Sequence, residues 1–161
     1  MSHTTTRPRR YSRLAAGLTV AAAAAATTLL GAAPAHAQTN VVTVRVVGGN
    51  LSINGTIFAD KIIATGSAAV VTLSNSTGSI QAAGFGCTQA GATVNCTGMN
   101  QITFVGSDGN DRFENKTPVL SRMFGGEGTD ILRGGTSNLD SAFGGNGQDL
   151  CRAEFKDRCE V

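Results

Sequence analysis

From residue 41 the chain is written in short alternations of apolar and polar residues. Val42-Thr43-Val44-Arg45-Val46 and Leu51-Ser52-Ile53 alternate, while Ile62-Ile63, Val70-Val71-Thr72-Leu73 and Ile102-Thr103-Phe104-Val105 are short β-branched runs. A period of two puts every second side chain on the same face of a sheet, so each run reads as a strand. Gly-Gly, Asn-Gly and Ser-Thr-Gly clusters separate the runs and mark turns. No stretch beyond the first 37 residues has helical periodicity. The pattern predicts an all-β chain.

After Val105 the alternation becomes a repeat. Gly106-Ser-Asp-Gly-Asn-Asp111, Gly125-Gly-Glu-Gly-Thr-Asp130 and Gly144-Gly-Asn-Gly-Gln-Asp149 recur every nineteen residues and divide the chain into 106–124, 125–143 and 144–161. A fixed period of turn chemistry implies a coil that stacks on itself. Two positions after each final aspartate stand Phe113, Leu132 and Cys151; Leu120 aligns with Leu139, and Phe124 with Phe143. These columns are expected to face inward. Half-turns of nine and ten residues predict a flattened coil with two short parallel strands per turn. The opposite half-turns, 115–124 and 134–143, lack the full motif. Three weaker glycine-led turns are expected to hold shape without metal: Gly55 to Asp60, with Ile62 in the apolar position; Gly134 to Asp140, whose aspartate comes one place late; and Gly66 to Thr72, which has no aspartate.

Glycines suit turns that need left-handed backbone angles or crowded carbonyl oxygens. Stacking at about 4.8 Å per rung places Asp111, Asp130 and Asp149 in a column, where neighbouring carboxylates repel by roughly 3–4 kcal/mol at an effective dielectric near 20. A divalent cation relieves that repulsion. Calcium takes six to eight oxygens, mostly carboxylates and carbonyls, and is the expected occupant. Three stacked turns make two complete sites. Asp108, Glu127 and Asn146, third in their turns, can add side-chain oxygens or stand as solvated tips.

The spacing Gly-Gly-x-Gly-x-Asp-x-apolar-x over 106–114, 125–133 and 144–152 resembles the repeats-in-toxin family, the hemolysin-type calcium-binding repeats. The resemblance covers residues 106–161. It implies a right-handed parallel β-roll (a β-solenoid) with calcium between stacked turns. It implies carboxylate ligands at Asp111, Asp130 and Asp149. Carbonyl donors are implied within 106–109, 125–128 and 144–147, hence at Gly106, Gly109, Gly125, Gly126, Gly128, Gly144 and Gly147. Ser107 departs from the second glycine, and nineteen residues replace the family's usual eighteen. The preceding β-rich part with its cysteine hairpin also resembles secreted actinobacterial proteins that end in such repeats.

Composition changes the picture at the N-terminus. Arg7, Arg9, Arg10 and Arg13 precede an apolar run from Leu14 to Leu30, and Ala35-His36-Ala37 is a small-x-small cleavage run. This predicts a signal peptide over 1–37, secretion, and no membrane insertion once it is removed. Arg9-Arg10 also allows twin-arginine export, although Ser12 and Arg13 stand where apolar residues are usual. Removal takes four of thirteen Lys+Arg and no acid, leaving 9 − 11 = −2. Nucleic-acid binding thereby loses its compositional support. Both histidines, His3 and His36, leave too, and with them histidine-dependent catalysis and histidine-bound zinc.

The four cysteines lie beyond the signal and allow three pairings. A two-residue turn at Gly91-Ala92 would set Cys87 opposite Cys96 at a non-hydrogen-bonded site, within disulfide range. Cys151 and Cys159 then close a C-terminal loop. A four-cysteine zinc site lacks any Cys-x-x-Cys pair. The expected organisation is a signal over 1–37, a β-rich segment with degenerate rungs and a disulfide hairpin over 38–105, and a calcium-binding roll with a C-terminal cap over 106–161. The expected function is a secreted, extracellular, non-enzymatic calcium-binding protein. The alternatives are an adhesion or matrix module for cell wall or glycan, and a polysaccharide-acting β-solenoid enzyme. Glu114, Glu127, Asp140 and Glu154 are available to the enzyme reading, but no pattern marks a pair.

Overall fold

The computed structural model describes residues 39–160. The expected signal peptide and its cleavage run lie outside the described residues. Those described fall in one compact unit and are all-β, with fourteen strands and no α-helix among them.

Two seven-stranded sheets pack face to face. The first holds β1 (Val41–Val47), β2 (Asn50–Asn54), β5 (Ser79–Ala82), β8 (Gln101–Asp108), β10 (Leu120–Glu127), β12 (Ser141–Asn146) and β14 (Phe155–Asp157), in the order β14-β12-β10-β8-β2-β1-β5. The second holds β3 (Lys61–Gly66), β4 (Val70–Asn75), β6 (Cys87–Ala90), β7 (Thr93–Thr97), β9 (Arg112–Asn115), β11 (Ile131–Arg133) and β13 (Leu150–Arg152), in the order β13-β11-β9-β3-β4-β7-β6. Both sheets are mixed. β1–β2, β3–β4, β4–β7 and β6–β7 are antiparallel, whereas every pairing among β8 to β14 is parallel.

The parallel pairs keep a nineteen-residue register: Phe104 lies beside Met123, Met123 beside Ala142, and Phe113 beside Leu132 beside Cys151. The run continues upstream with a different offset. Asn50 lies beside Gln101 and Lys61 beside Arg112, an offset of 51, so 51 − 19 = 32 extra residues intervene. That excess contains β4 to β7 and the first disulfide. The segment from Gly55 to Asp60 is therefore a rung in register, while Gly66 to Thr72 is the bend of an antiparallel hairpin.

The core follows the period-two alternation. Val42, Val44, Leu51, Ile53, Ile102, Phe104 and Met123 from the first sheet meet Ile62, Val71, Leu73, Val94, Phe113 and Leu132 from the second, all fully buried. Phe104 and Phe113 stack across the layers with centroids 4.8 Å apart and planes 9° apart. Gln89 faces Val94 and Cys87 faces Cys96, the register expected from the Gly91-Ala92 turn, with Cα atoms 4.1 Å apart across the disulfide. Cys151 bonds Cys159, and no described cysteine is free. Two disulfides fit an oxidising, extracellular-like setting. No helix among the described residues is long and apolar enough to cross a membrane.

Two columns expected to face inward do not. Phe124 is 38 % exposed and Leu139 71 % exposed, and their partners Phe143 and Leu120 are only half-buried. The inward residues are instead Ser121, Met123 and Gly125 on β10 and Ala142 and Gly144 on β12. Gly125 has to point inward because a carboxylate packs against its Cα. Alternation then turns Met123 in and Phe124 out.

Candidate functional site

Where the first sheet hands over to the second, the repeated turns stack. Each turn's final aspartate is buried: Asp60, Asp111, Asp130 and Asp149 are all at most 2 % exposed. They form a ladder through the main chain. The amide of Asp60 donates to Asp111 Oδ1 at 2.7 Å, that of Asp111 to Asp130 Oδ1 at 2.7 Å, and that of Asp130 to Asp149 Oδ1 at 2.8 Å. The amide of Asp149 donates to the Glu160 carboxylate. Each carboxylate thus closes the turn of the preceding rung through its Oδ1.

The other oxygen of three of these carboxylates has no such role. Oδ2 of Asp111, Asp130 and Asp149 is buried without a hydrogen-bond partner. Asp60 differs, because Thr56 donates to its Oδ2 through N at 2.7 Å and Oγ1 at 3.0 Å, and Asn75 donates to its Oδ1 at 3.1 Å. The rung at Asp60 closes its own carboxylate; the three repeats leave theirs open, as does Asp140 in the weaker Gly134 turn.

The glycines explain where the open oxygens sit. The space a Cβ would take on Gly106 is filled by Asp111 Oδ2 and the Gly125 carbonyl oxygen. On Gly125 it is filled by Asp130 Oδ2 and the Gly144 carbonyl oxygen. A carboxylate oxygen and a carbonyl oxygen therefore converge at one point in each rung. The first glycine of the motif is required by this close approach. The second is required by backbone angle, as at Gly126 with φ 115°. Ser107 holds the same place in the first turn at φ 87°. The Ser107 carbonyl lies against Gly126, Gly126's against Gly145, Gly109's against Gly128, and Gly128's against Gly147. Asp108, Glu127 and Asn146 are exposed at the tips, where Asn146 donates to Glu127 Oε1 at 2.8 Å.

Among the described residues no three His, Cys, Asp or Glu side chains gather at one point. Any cation here would be held by one carboxylate per rung together with main-chain oxygens. The orphaned oxygens and their carbonyl neighbours fit a hard cation such as calcium. Adjacent rungs make two such cradles, at Asp111 with the Gly125 carbonyl and at Asp130 with the Gly144 carbonyl.

Burial makes the unneutralised carboxylates basic. Asp111 is pushed up to about 7, first by loss of solvent and then by the charges of Asp130, Asp60 and Asp108, against the pull of the Asp60 amide. Asp130 is pushed up to about 6 by burial and by Asp149, against the pull of the Asp111 amide. A raised folded value means the contribution to stability is complete below the unfolded value and lost as pH rises through 6 to 7. Glu114 acts in the opposite sense, burial being outweighed by Arg112 and Lys116, but only below that window. Metal-free protein is therefore expected to melt roughly 5 °C higher at pH 5 than at pH 8 in chelator. An equal or higher midpoint at pH 8 would contradict the ladder's charge state.

A second, shorter ladder lies at the opposite half-turns, at the turn from Gly134 to Asp140 expected only to hold shape. Asp140 is 1 % exposed; its Oδ1 accepts from Ser121 N and Oγ, both at 2.7 Å, and its amide donates to Glu154 Oε2 at 2.9 Å. Its late position in the turn had marked it as degenerate. Glu154 and Glu160 close the two ladders, yet neither carries a periodic signal. Glu114 pairs with Arg112 at 3.3 Å and Lys116 at 3.6 Å, away from both ladders. No protein-family model, curated protein or solved structure matches the chain.

Proposed function

We propose that this is a secreted, non-enzymatic calcium-binding protein whose repeat region is a parallel β-roll of the repeats-in-toxin kind. One observation carries the reading: buried carboxylate oxygens without partners meet carbonyl oxygens beside the first glycine of successive turns. Bound calcium would neutralise the carboxylates and complete their coordination. Asp111 and Asp130 supply the charge, and Gly125 and Gly144 the carbonyls. The carbonyl columns of Ser107 and Gly126, and of Gly109 and Gly128, stand nearby in the same turns. The Oδ1 hydrogen bonds hold each carboxylate at a fixed rotation, so Oδ2 is oriented before a cation arrives.

The benefit is conditional stability. Extracellular calcium sites commonly bind in the range of about 0.1 to 1 mM. At about 1 mM calcium and a dissociation constant near 0.1 mM, each site stabilises the fold by about 1.4 kcal/mol. Export into calcium would then tighten a fold that is looser without it. Calorimetric titration with circular dichroism tests this. Uptake of at least two ions per chain, with a higher melting temperature, is the expected outcome. No heat at millimolar calcium and an unchanged melt would remove the reading.

A second reading, adhesion to cell wall or glycan, has one observation in its favour. Phe124 and Phe143 stack on the outer face of the first sheet with centroids 4.9 Å apart and planes 8° apart, and Phe155 lies 5.7 Å from Phe143. Flat aromatic surface of this kind can stack on sugar rings. Retention on wall polysaccharide that is lost in Phe143→Ala would favour it over a purely structural role.

A further inference from the structure

We propose that the C-terminal cap builds a third cation cradle of its own, on Asp149, and that the Cys151–Cys159 disulfide holds it together. The proposal rests on the calcium reading above and extends it to a site that the repeat does not encode. Residues 150–160, which follow the third turn, contain no glycine, so the glycine-led motif does not recur among them. The third carboxylate should therefore face solvent on its open side. It does not: Asp149 is 2 % exposed and its Oδ2 is buried and unpartnered, as in the inner rungs.

Residues 158–160 imitate the missing turn. The space a Cβ would take on Gly144 is filled by Asp149 Oδ2 and the carbonyl oxygen of Arg158. That is the convergence found at Gly106 and Gly125, with Arg158 standing in for the first glycine of a next rung. Arg158 reaches this place in a left-handed conformation, φ 49°, unusual for a residue with a side chain. Glu160 supplies both ladder contacts. Its carboxylate accepts from the Asp149 amide, as Asp149 accepts from Asp130. Its own amide donates to the Asp149 carbonyl at 2.9 Å, as Leu150 N does to Asp130 O and Ile131 N to Asp111 O, both at 2.8 Å.

The imitation takes eleven residues from Asp149 to Glu160 where a coil takes nineteen. Part of the path is held by β14, a three-residue edge strand with exposed side chains that pairs in parallel with β12. Cys159, between Arg158 and Glu160, is tied to Cys151, which stands in the buried column behind Leu132. The disulfide thus replaces the packing of a further rung, and fixes the Arg158 carbonyl over the carboxylate. Such a donor pair, the Asp149 carboxylate with the Arg158 carbonyl, suits a hard divalent cation of the calcium class.

The test is calcium stoichiometry by calorimetry on the protein with both disulfides formed, and on two variants. The wild type is expected to take up three ions. Cys151→Ser/Cys159→Ser and Asp149→Asn are each expected to take up two; in Asp149→Asn the side-chain oxygen still accepts from the Asp130 amide, so the last rung stays closed. Fewer than three ions in the wild type overturns the third cradle, and two would leave the inner pair standing. Three ions in either variant also overturns it. No uptake at all removes the calcium reading itself.

Discussion

Gly125→Ala is expected to destabilise the protein by about 3 kcal/mol, at the upper end of the usual cost of overpacking. Gly125 is not in the left-handed region, so alanine suits its backbone, and the effect is one of space alone. The new methyl would meet Asp130 Oδ2 and the Gly144 carbonyl. The carbonyl belongs to the neighbouring strand and cannot turn aside. The carboxylate is held by the Asp111 amide at 2.7 Å. Relief would need β10 and β12 to separate, which opens the parallel ladder at its centre. The same methyl would occupy the place where the two oxygens converge, so calcium should restore less stability than in the wild type. Urea denaturation in calcium and in chelator reads both effects. An unchanged midpoint in chelator would show that the rungs are looser than their packing indicates.

Asp130→Asn is expected to move stability in opposite directions with and without calcium. Asparagine keeps a side-chain oxygen for the Asp111 amide, so the ladder bond survives. Its NH2 then takes the place of the orphaned Oδ2, beside the Gly144 carbonyl, where a donor finds an acceptor. The carboxylate that burial and the Asp149 charge push up to about 6 disappears. In chelator the variant should gain on the order of 1–3 kcal/mol. In calcium it should lose one cradle's charge and bind there at least tenfold more weakly. The crossing of the two melting curves is the signature. A variant less stable than wild type in chelator would mean that the carboxylate is stabilising by itself and that the column evolved as a hydrogen-bond ladder.

Much of the fold was legible because period two and period nineteen are local signals. Val42, Val44, Leu51 and Ile53 announced their strands, and the Gly91-Ala92 turn specified which residues face each other up to Cys87 and Cys96. Phe113, Leu132 and Cys151 were correctly placed in one inward column. The column of Phe124 and Phe143 was misjudged for a reason internal to the motif. Apolar residues usually mark the core face, but here the next residue, Gly125, must face the core to admit a carboxylate, and parity does the rest. Leu139 was misjudged in the same way: the buried place belongs to Asp140, whose carboxylate closes the Ser121 amide.

What the sequence determined by itself was whatever depends on neighbours along the chain: strand parity, the turn residues, the repeat length and the identity of Asp111, Asp130 and Asp149. What only the tertiary structure decided was whatever depends on neighbours across it. The turn from Gly55 to Asp60 was legible as a weaker rung, but the 32-residue excess hides that it stacks on the first repeat, where the Asp60 amide donates to the Asp111 carboxylate. The two oxygens of one carboxylate are equivalent in a sequence. They differ here because the rung above supplies an amide to one and the rung below a carbonyl beside the other. Glu160 and Arg158 stand where a fourth turn would, since a disulfide brings them there by a path shorter than a coil. Contacts between rungs join residues far apart along the chain, and their chemistry becomes visible only when the rungs are stacked.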